Sequence, residues 1–495
     1  MRNIFDTTDP KEDNPLFRWA NRFHVLTRPS VIERALLFKS GEPLSVRLID
    51  ETERILRSQQ FLYDVKFRPA AVHDGVVDID VETRDTWSLD LGASAGRSGG
   101  ANSSGTHLKE YNLLGTGISL SVGHSNSVDR SGNEFEFANE RAFGGWTRLS
   151  YRHATNSDGR SDAMAVVRPF YALDARWAAG LSASRDERVE AVYNAGAVAS
   201  RYRHRQERAE VFGGWSAGLV HGWVRRTSLG LSVQDDAYAP ERGFAAPARL
   251  SPDERLVSPF LRIELLEDRV EKELNRNLIG RPEFFALGLA SSVQLGWAAT
   301  GLGSSRNALL YAASVSRGFE PAPAQILTAS AQISGQFTQG LVRRQLLGAQ
   351  LRYYLPQSAR WLFYAAASVD RVTRPELGDM LQLGGDNGLR GFPLRYQSGE
   401  RRARFTLEER FYTDLYLWRL FRIGGAAFFD TGRAWGGDNV NALNPEWLHN
   451  VGLGLRIVSA RSAFANVIHL DLAFPLEAVG NMKRVQFLVR TKTSF

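Results

Sequence analysis

The sequence predicts a mainly β protein, in which a transmembrane antiparallel β-barrel of about 16 strands follows a small α+β domain. Three observations predict this fold class. Apolar and polar residues alternate with a period of two through most of residues 85–495. The chain contains no run of about 18 apolar residues that would indicate a transmembrane helix. It is also rich in glycine, with 45 residues, and in aromatic residues, at 11%. Both suit the turns and interfacial aromatic girdles of a membrane barrel.

The composition excludes several classes of site. The 61 basic and 54 acidic residues are spread along the chain, so no concentrated basic surface for nucleic acid is indicated. The absence of cysteine rules out disulfides and thiolate-bound metals. The nine histidines lack the spacing of a zinc motif, and no Walker-type phosphate loop is present. We therefore expect no cofactor, no metal site and no nucleic-acid partner.

Residues 1–84 carry the helical periodicity that the rest of the chain lacks. A short apolar run predicts a first helix. A second helix follows, with an apolar face formed by Leu44, Leu48, Thr52, Ile55 and Leu56. Two alternating segments, residues 63–68 and 77–82, predict a hairpin that turns at Asp74 and Gly75. These elements predict the small α+β domain.

The start of the chain is the least regular part of this domain. An earlier strand is expected near Arg2–Phe5 or near Phe17–His24. Residues 1–20 contain no apolar core of a signal peptide. Because a membrane barrel has to be exported, we expect a mature chain, or one that is trimmed or incomplete at its start.

After Arg84 the helical periodicity disappears and strand alternation takes over. Leu347, Leu351 and Tyr353, for example, lie on one face, and Gln350 lies on the other. An open twisted sheet seldom exceeds ~10 strands. A closed barrel removes both edges and places apolar side chains outside and polar ones inside. Residues 85–495 are therefore predicted to form the barrel, and roughly 25 residues per strand and connection give about 16 strands.

The first and last strands must pair to close the barrel. The last strand is predicted near Val485–Phe495, where apolar and polar residues alternate up to the final phenylalanine, and the first strand near Trp87–Ala93. Gly92 and Gly96 lie in or just after that first strand. Glycine weakens a strand because it loses more backbone entropy on ordering. These two glycines therefore lower the expected stability of the first strand.

Two segments fit the G-x-S-x-G pattern of serine hydrolases, Gly92–Gly96 and Gly214–Gly218. In a hydrolase this serine sits on a turn between a strand and a helix. Neither segment precedes an amphipathic helix, and a chain with 45 glycines produces such matches by chance. We therefore expect that the protein is not an enzyme.

Three segments resemble the BamA/TamA superfamily of bacterial outer-membrane assembly and secretion proteins, which includes bacterial surface antigen barrels. Glu110–Gly117 (EYNLLGTG) is similar to a segment early in the barrels of this family. Gly384–Phe392 (GGDNGLRGF) resembles the loop that folds into their lumen, and Phe428–Gly432 (FFDTG) resembles the strand that follows. The order and spacing of the three segments match the family.

The N-terminal part of the chain extends this resemblance. Residues 1–84 are similar to a single POTRA domain, the periplasmic module of the family, with Phe61–Val65 at its helix-to-strand turn. Gln60 replaces the glycine that is usual there. The best-known assembly members carry several such modules, so their role does not transfer directly to this chain. The resemblance implies a barrel in the bacterial outer membrane and an N-terminal domain in the periplasm.

The resemblance also implies a functional site inside the barrel. Its centre is a four-residue motif of the lumen loop: Leu389, Arg390, Gly391 and Phe392. In the family, the arginine of this motif reaches inward to acidic residues of the barrel wall. Asp430 is the first candidate partner of Arg390 and Glu408 the second, and strand alternation alone leaves Glu409 as an alternative to Glu408. Phe495 matches the C-terminal signal by which such barrels are recognised for assembly.

By the same resemblance, the expected function is the insertion, assembly or translocation of other polypeptides at the outer membrane. The expected partners are membrane lipid and unfolded client or secreted polypeptides, with periplasmic chaperones and assembly lipoproteins as further candidates. A client would be captured as an added strand at the edge of the N-terminal domain. Two alternatives stay open: a dedicated two-partner-type secretion pore for one exported protein, and a passive surface-antigen barrel without a client.

Overall fold

The computed structural model describes residues 1–194, 196–437, 446–459, 467–477 and 482–492. Phe495 therefore lies outside the described residues. Within the described ranges there are three α-helices: α1 (Pro15–Phe23), α2 (Pro29–Glu33) and α3 (Val46–Arg57). No helix in these ranges is long and apolar enough to cross a membrane.

Strands make up most of the described chain. The first half contains β1 (Leu62–His73), β2 (Val76–Asp85), β3 (Leu89–Ser98), β4 (Ala101–Glu110), β5 (Ile118–Asn126), β6 (Ser131–Ala142), β7 (Thr147–Asn156), β8 (Gly159–Arg168), β9 (Trp177–Asn194), β10 (Ala197–Val220), β11 (Trp223–Pro240), β12 (Glu254–Glu267) and β13 (Val270–Leu274). The second half contains β14 (Pro282–Ala286), β15 (Ala290–Ala298), β16 (Ala308–Phe319), β17 (Ile326–Thr338), β18 (Leu341–Pro356), β19 (Trp361–Thr373), β20 (Leu381–Leu383), β21 (Gln397–Gly399), β22 (Arg401–Leu417), β23 (Phe421–Trp435), β24 (Leu448–Ser459), β25 (Val467–Pro475) and β26 (Gln486–Lys492).

The N-terminal domain is built around α3 and the β1–β2 hairpin. Ser45 caps the start of α3, where its hydroxyl accepts a hydrogen bond from the Leu48 N–H at 3.4 Å. The apolar face of α3 packs through Leu56 against Phe61 and Val65 in one buried cluster. The second predicted helix therefore forms because its apolar stripe has a hairpin to cover.

Two further expectations concern the position of the hairpin turn and the position of an early strand. The chain turns at Asp74 and Gly75 as predicted, with φ angles of +48° and +77°, the left-handed geometry of a two-residue hairpin turn. Arg2 forms a parallel bridge with Arg84 of β2. The alternative strand at Phe17–His24 is wrong, because that segment lies on α1 and its C-cap, and a proline at the first helical position favours a helix start.

Within the described residues, twenty strands form one closed antiparallel barrel. Each barrel strand pairs with the next one along the chain, and β26 pairs with β3 to close the ring. The predicted number of about 16 strands is wrong. One reason is that many connections are short: within the described residues, four barrel turns contain only two residues, Gly99-Gly100, Ser157-Asp158, His221-Gly222 and Gln339-Gly340. Connections shorter than expected leave room for four more strands.

The two faces of the barrel wall differ as the alternation predicts. Leu347 and Leu351 of β18 point outward and are about half exposed, whereas Tyr354 on the opposite face is buried in the lumen. The same outward apolar row continues through Ala367 of β19, which pairs directly with Leu351. An apolar outer surface that continues around the ring suits a lipid environment rather than water.

The closing pair of the barrel is short. β3 and β4 are joined at ten register positions, and β25 and β26 at seven. By contrast, β26 and β3 share one position within the described residues, Val489 with Arg97. This position lies within the predicted last strand and in β3 just after Ala93. Residues 493–495 lie outside the described residues, so the expected pairing with Trp87–Ala93 stays a prediction. Alternation along one strand does not determine which residues pair with the neighbouring strand, because the register depends on the whole ring.

Two long connections fold into the barrel. We call residues 374–400, between β19 and β22, the lumen loop; they contain the two-stranded sheet β20–β21. We call residues 268–289, between β12 and β15, the inner hairpin; they contain the sheet β13–β14. The inner hairpin leaves the barrel rim on the side of the N-terminal domain, because Lys272 forms an ion pair with Glu53 of α3.

Candidate functional site

The tip of the lumen loop is a tight turn that requires glycine at one position. The Asn387 side chain ties the turn together: its Oδ1 accepts a hydrogen bond from the Gly384 N–H at 2.7 Å, and its Nδ2 donates to the Gln382 carbonyl at 2.9 Å. Gly388 has a φ of +136°, and a Cβ there would lie 2.8 Å from Arg404 Cδ. Only glycine accommodates both conditions without a shift. The turn directs the four motif residues that follow into the lumen.

Arg390 lies at the centre of the site and reaches the barrel wall. Its Nε and Nη2 donate to the two carboxylate oxygens of Asp430 at 2.8 and 2.7 Å. Its Nη1 donates to Glu408 Oε1 at 2.8 Å. All three residues are buried: Arg390 is 4% exposed, Asp430 1% and Glu408 6%. A guanidinium suits this arrangement because its planar fork meets a carboxylate through two parallel hydrogen bonds.

The wall strands hold both carboxylates in place. Thr406 Oγ1 donates to Asp430 Oδ1 at 3.0 Å, and Asn450 Nδ2 donates to Asp430 Oδ2 at 2.9 Å. The guanidinium of Arg390 also stacks over the Phe428 ring, 3.4 Å from its centroid. Each oxygen of Asp430 therefore accepts two hydrogen bonds, which leaves this carboxylate one orientation. Such buried pairs contribute more to position than to net stability, because desolvation offsets much of their attraction.

The structure decides between the two neighbouring glutamates. Glu408 points into the lumen with Arg390, and Glu409 lies on the opposite face, where Gln357 Nε2 donates to its carboxylate at 3.3 Å. Arg410 shares the inward face with Glu408, and its Nε donates to Glu408 Oε2 at 2.9 Å. Arg410 was not among the residues predicted from the sequence. Its spacing of two residues from Glu408 on a strand is the signal that could have found it.

The other motif residues anchor the tip by packing. Leu389 and Phe392 are fully buried in an apolar cluster with Leu383, Tyr396, Ala434 and Leu448. Gly391 approaches the wall closely: its N–H donates to Asn450 Oδ1 at 3.2 Å, and a Cβ there would lie 2.7 Å from Asn450 Cβ. All four residues of the motif therefore contact the wall or the loop itself.

A second attachment holds the base of the lumen loop. Asp379 accepts two hydrogen bonds from Arg344 of β18, at 2.8 and 2.9 Å. Glu376 accepts one from Arg343 at 2.9 Å. These contacts were also missed, because the partners lie more than thirty residues apart and neither has a distinctive sequence pattern. The loop is thus fixed by charge at both its base and its tip.

Two cavities lie along the barrel wall, and one of them reaches the lumen loop. A cavity of about 650 Å³ is lined mainly by small and polar residues of the wall, including Ser121, Ser150, Ser182, Ser232 and Gln234. A neighbouring cavity of about 450 Å³ reaches Arg344 and Asp379 at the loop base. Displacing the loop would join this space to the region that the loop now fills.

Other kinds of site find little support in the geometry. Both G-x-S-x-G segments lie within barrel strands, β3 and β10, rather than on a strand-to-helix turn. Among the residues that the structure describes, no three His, Asp or Glu side chains are grouped to hold a metal ion.

Comparisons with solved structures identify the fold. The crystal structure of BamA from Haemophilus ducreyi lacking POTRA domains 1-3 aligns with 94% of this chain and 82% of its own, at 13% identity and a TM-score of 0.43. CdiB from Acinetobacter baumannii covers 94% and 71%, at 12% identity and a TM-score of 0.47. CdiB from Escherichia coli covers 94% and 74%, at 12% identity and a TM-score of 0.50.

At this identity, the likeness to the Escherichia coli protein shows a shared fold. The recognition from sequence is therefore confirmed at the level of the barrel fold. No protein-family model matches the chain, and no curated protein sequence matches it.

Proposed function

We propose that this protein inserts other polypeptides into the bacterial outer membrane through the seam between β3 and β26. The observation that carries this proposal is the closing pair, which has one register position within the described residues where neighbouring pairs have seven or ten. Fewer paired positions mean fewer backbone hydrogen bonds that resist opening. A barrel with such a seam can open sideways at low cost and offer its strand edges to an incoming chain. No catalytic step is part of this proposal.

In this proposal the N-terminal domain is a POTRA-like module on the periplasmic side, which receives clients. The β1–β2 hairpin supports this role, because β2 is the one strand that pairs with β1 within the described residues. The other edge of β1 can therefore accept an extended segment as an added strand. Membrane lipid, unfolded polypeptides, periplasmic chaperones and assembly lipoproteins are the proposed partners.

A second candidate function is secretion of a dedicated partner through the lumen. The cavity of about 650 Å³ favours it, since its small and polar lining offers few apolar surfaces to which an extended chain would adhere. The two functions differ in route. Insertion requires the seam to open, whereas secretion requires the lumen loop to move and the seam to stay closed.

Cysteine locking of the seam separates the two routes. The pair Arg97→Cys and Val489→Cys occupies the one directly paired position. Cα atoms of such pairs are about 4.5–5.5 Å apart, within the disulfide range of about 4.4–6.8 Å. The chain has no native cysteine, so no other thiol competes. A matched control locks β10 to β11 on the same outward face, with Val211→Cys and Leu231→Cys.

The readout is a census of outer-membrane and secreted proteins after depletion of the native protein and complementation by each variant. We expect the oxidised seam variant to lower the levels of outer-membrane proteins, with recovery on reduction, and the control variant to have no effect. Normal outer-membrane proteins with an oxidised seam would overturn lateral insertion. Loss of a single secreted protein on depletion would then support the secretion pore.

A further inference from the structure

The inner hairpin packs inside the barrel at the end that faces the N-terminal domain. Its residues Ile279 and Leu287 are buried. They pack in one cluster with inward side chains from seven adjacent wall strands, β17 to β19 and β22 to β25: Ile326, Tyr354, Leu362, Tyr412, Ala426, Val458 and Val467. The hairpin therefore covers about a third of the barrel circumference from within.

The tip of the hairpin is an ordered structure rather than a loose connection. The carboxylate of Glu283 accepts hydrogen bonds from the backbone N–H groups of Arg276, Asn277 and Leu278, at 2.9 to 3.0 Å. Asn275 Oδ1 accepts a further one from the Gly280 N–H at 2.6 Å. A tip held by its own hydrogen bonds can move as a unit and keep its shape.

The hairpin tip is hydrogen-bonded to the barrel at several points, through Asn277 to Tyr354, through the Arg276 side chain to the Ala324 carbonyl, and through the Arg276 backbone carbonyl. The Arg276 carbonyl accepts a hydrogen bond from Arg410 Nη1 at 2.8 Å and another from Tyr412 Oη at 3.3 Å. Arg410 also stacks over the Tyr364 ring, 3.9 Å from its centroid. Arg410 is thus a positioning residue, which holds the hairpin through the orientation of its guanidinium.

The same arginine shares a carboxylate with the tip of the lumen loop. Glu408 Oε2 accepts from Arg410 Nε at 2.9 Å, and Glu408 Oε1 accepts from Arg390 Nη1 at 2.8 Å. One carboxylate therefore orients two guanidiniums, that of Arg390 on the lumen loop and that of Arg410 on β22, which in turn contacts the inner hairpin. Loss of Arg390 would free Glu408 to turn, and Arg410 would then no longer be aimed at the Arg276 carbonyl.

We propose that the inner hairpin is a second plug, which seals the lumen on the side of the N-terminal domain and is coupled through Glu408 to the lumen loop. Displacement of the lumen loop loosens the hairpin, so the two plugs open together. The ion pair of Lys272 with Glu53, at 3.1 Å, connects the hairpin to α3 and places it next to the domain that would receive a client. The proposal concerns the opening of the lumen and does not depend on which polypeptide, if any, passes.

Labelling of a single thiol tests the coupling. In the full-length protein, Ile279→Cys provides one buried thiol in a chain without native cysteine. The measurement is its reaction rate with a bulky, polar maleimide. We expect slow labelling in the Ile279→Cys protein and at least a tenfold increase when Glu408→Gln is added. Glu409→Gln is the matched control, because it removes the same charge one residue away on the outward face, and it should leave the rate unchanged.

Arg410→Lys is a second variant, to be used if Glu408→Gln does not give a heat-modifiable barrel, that is, one that stays folded in SDS and changes its electrophoretic mobility only on boiling. A lysine keeps the charge but cannot bond Glu408 and the Arg276 carbonyl as a fork, so labelling should again accelerate at least tenfold. Equal rates in all variants would overturn the coupling. Equal acceleration by Glu409→Gln would also overturn it, because it would show general loosening of the wall.

Conductance tests the plug itself. Replacing residues 270–286 with a short glycine linker should raise single-channel conductance in a planar bilayer severalfold over the unaltered protein. Arg390→Ala in the otherwise intact chain should raise the fraction of time spent in a high-conductance state. An unchanged conductance after removal of the hairpin, in a protein that keeps its heat-modifiable mobility, would overturn the second plug.

Discussion

The lumen loop and the inner hairpin occupy the same barrel and are held in different ways. The tip of the lumen loop combines the packing of Leu389 and Phe392 with an ionic anchor, Arg390, whose guanidinium bonds two buried carboxylates of the wall. The inner hairpin is fixed mainly by the apolar side chains of Ile279 and Leu287, with one carbonyl bonded to Arg410. Both insertions fill space between the same wall strands, so the contrast lies in the chemistry of their anchors.

The difference teaches what each anchor can do. A buried ion pair adds little to the net stability of the fold but holds its two partners in one geometry. Once the site opens, water or another charge can replace either partner. Apolar packing stabilises in proportion to the buried area, without demanding one geometry. The ion pairs therefore position the lumen loop and allow its release, whereas the apolar packing of the inner hairpin seals the lumen.

The largest effect is expected from Arg390→Ala. It leaves the carboxylates of Asp430 and Glu408 buried without their main partner, a change that costs about 3–5 kcal/mol in buried pairs. We expect a folded, heat-modifiable barrel with a lumen loop that trypsin cleaves and with impaired function. Asp430→Ala should have the same effect. The defect of the double variant should be smaller than the sum of the two single defects.

A control for this variant lies in the same loop. Arg395 bonds Asp129, whose side chain is 45% exposed, and exposed pairs contribute about 0–1 kcal/mol. Arg395→Ala should therefore leave the loop resistant to trypsin. Equal cleavage of the two variants would mean that charge at the tip does not position the loop.

An intermediate effect is expected from Ile279→Ala, which leaves a cavity at the centre of the hairpin seal. Truncations of this kind cost about 2–5 kcal/mol, whereas Ile279→Val should cost about 0.5–1.5 kcal/mol. The measurement is the temperature at which the barrel loses its heat-modifiable mobility. The lumen loop should stay resistant to trypsin in both variants, and equal shifts for alanine and valine would argue against an anchor that depends on volume.

The smallest effect is expected from Lys272→Ala. The side chains of Lys272 and Glu53 are 49% and 21% exposed, and a pair with so much solvent contributes about 0–1 kcal/mol. The unfolding temperature should change less than in Ile279→Val, and its difference from that of the unaltered protein should shrink as the salt concentration rises. A larger loss would show that the hairpin depends on the N-terminal domain more than on the barrel.

Strand alternation allowed the outer face of the barrel to be predicted from the sequence. An apolar residue at every second position has to face lipid or a core wherever its neighbours lie, so the faces follow from local order alone. The glycine-rich turn before Arg390 is also local, since Gly388 requires a left-handed φ. The closed barrel could be proposed on these grounds, whereas the inward arginine and its acidic candidates came from the resemblance to a known family.

Tertiary structure decided what depends on the whole ring. It set the number of strands through the length of each connection, the closing position through the register, and Glu408 rather than Glu409 through the phase of β22. The inner hairpin escaped the sequence analysis, because its apolar residues read locally like another pair of wall strands. Whether such residues face lipid or fill the lumen depends on the strands that happen to close around them, and no local pattern contains that information.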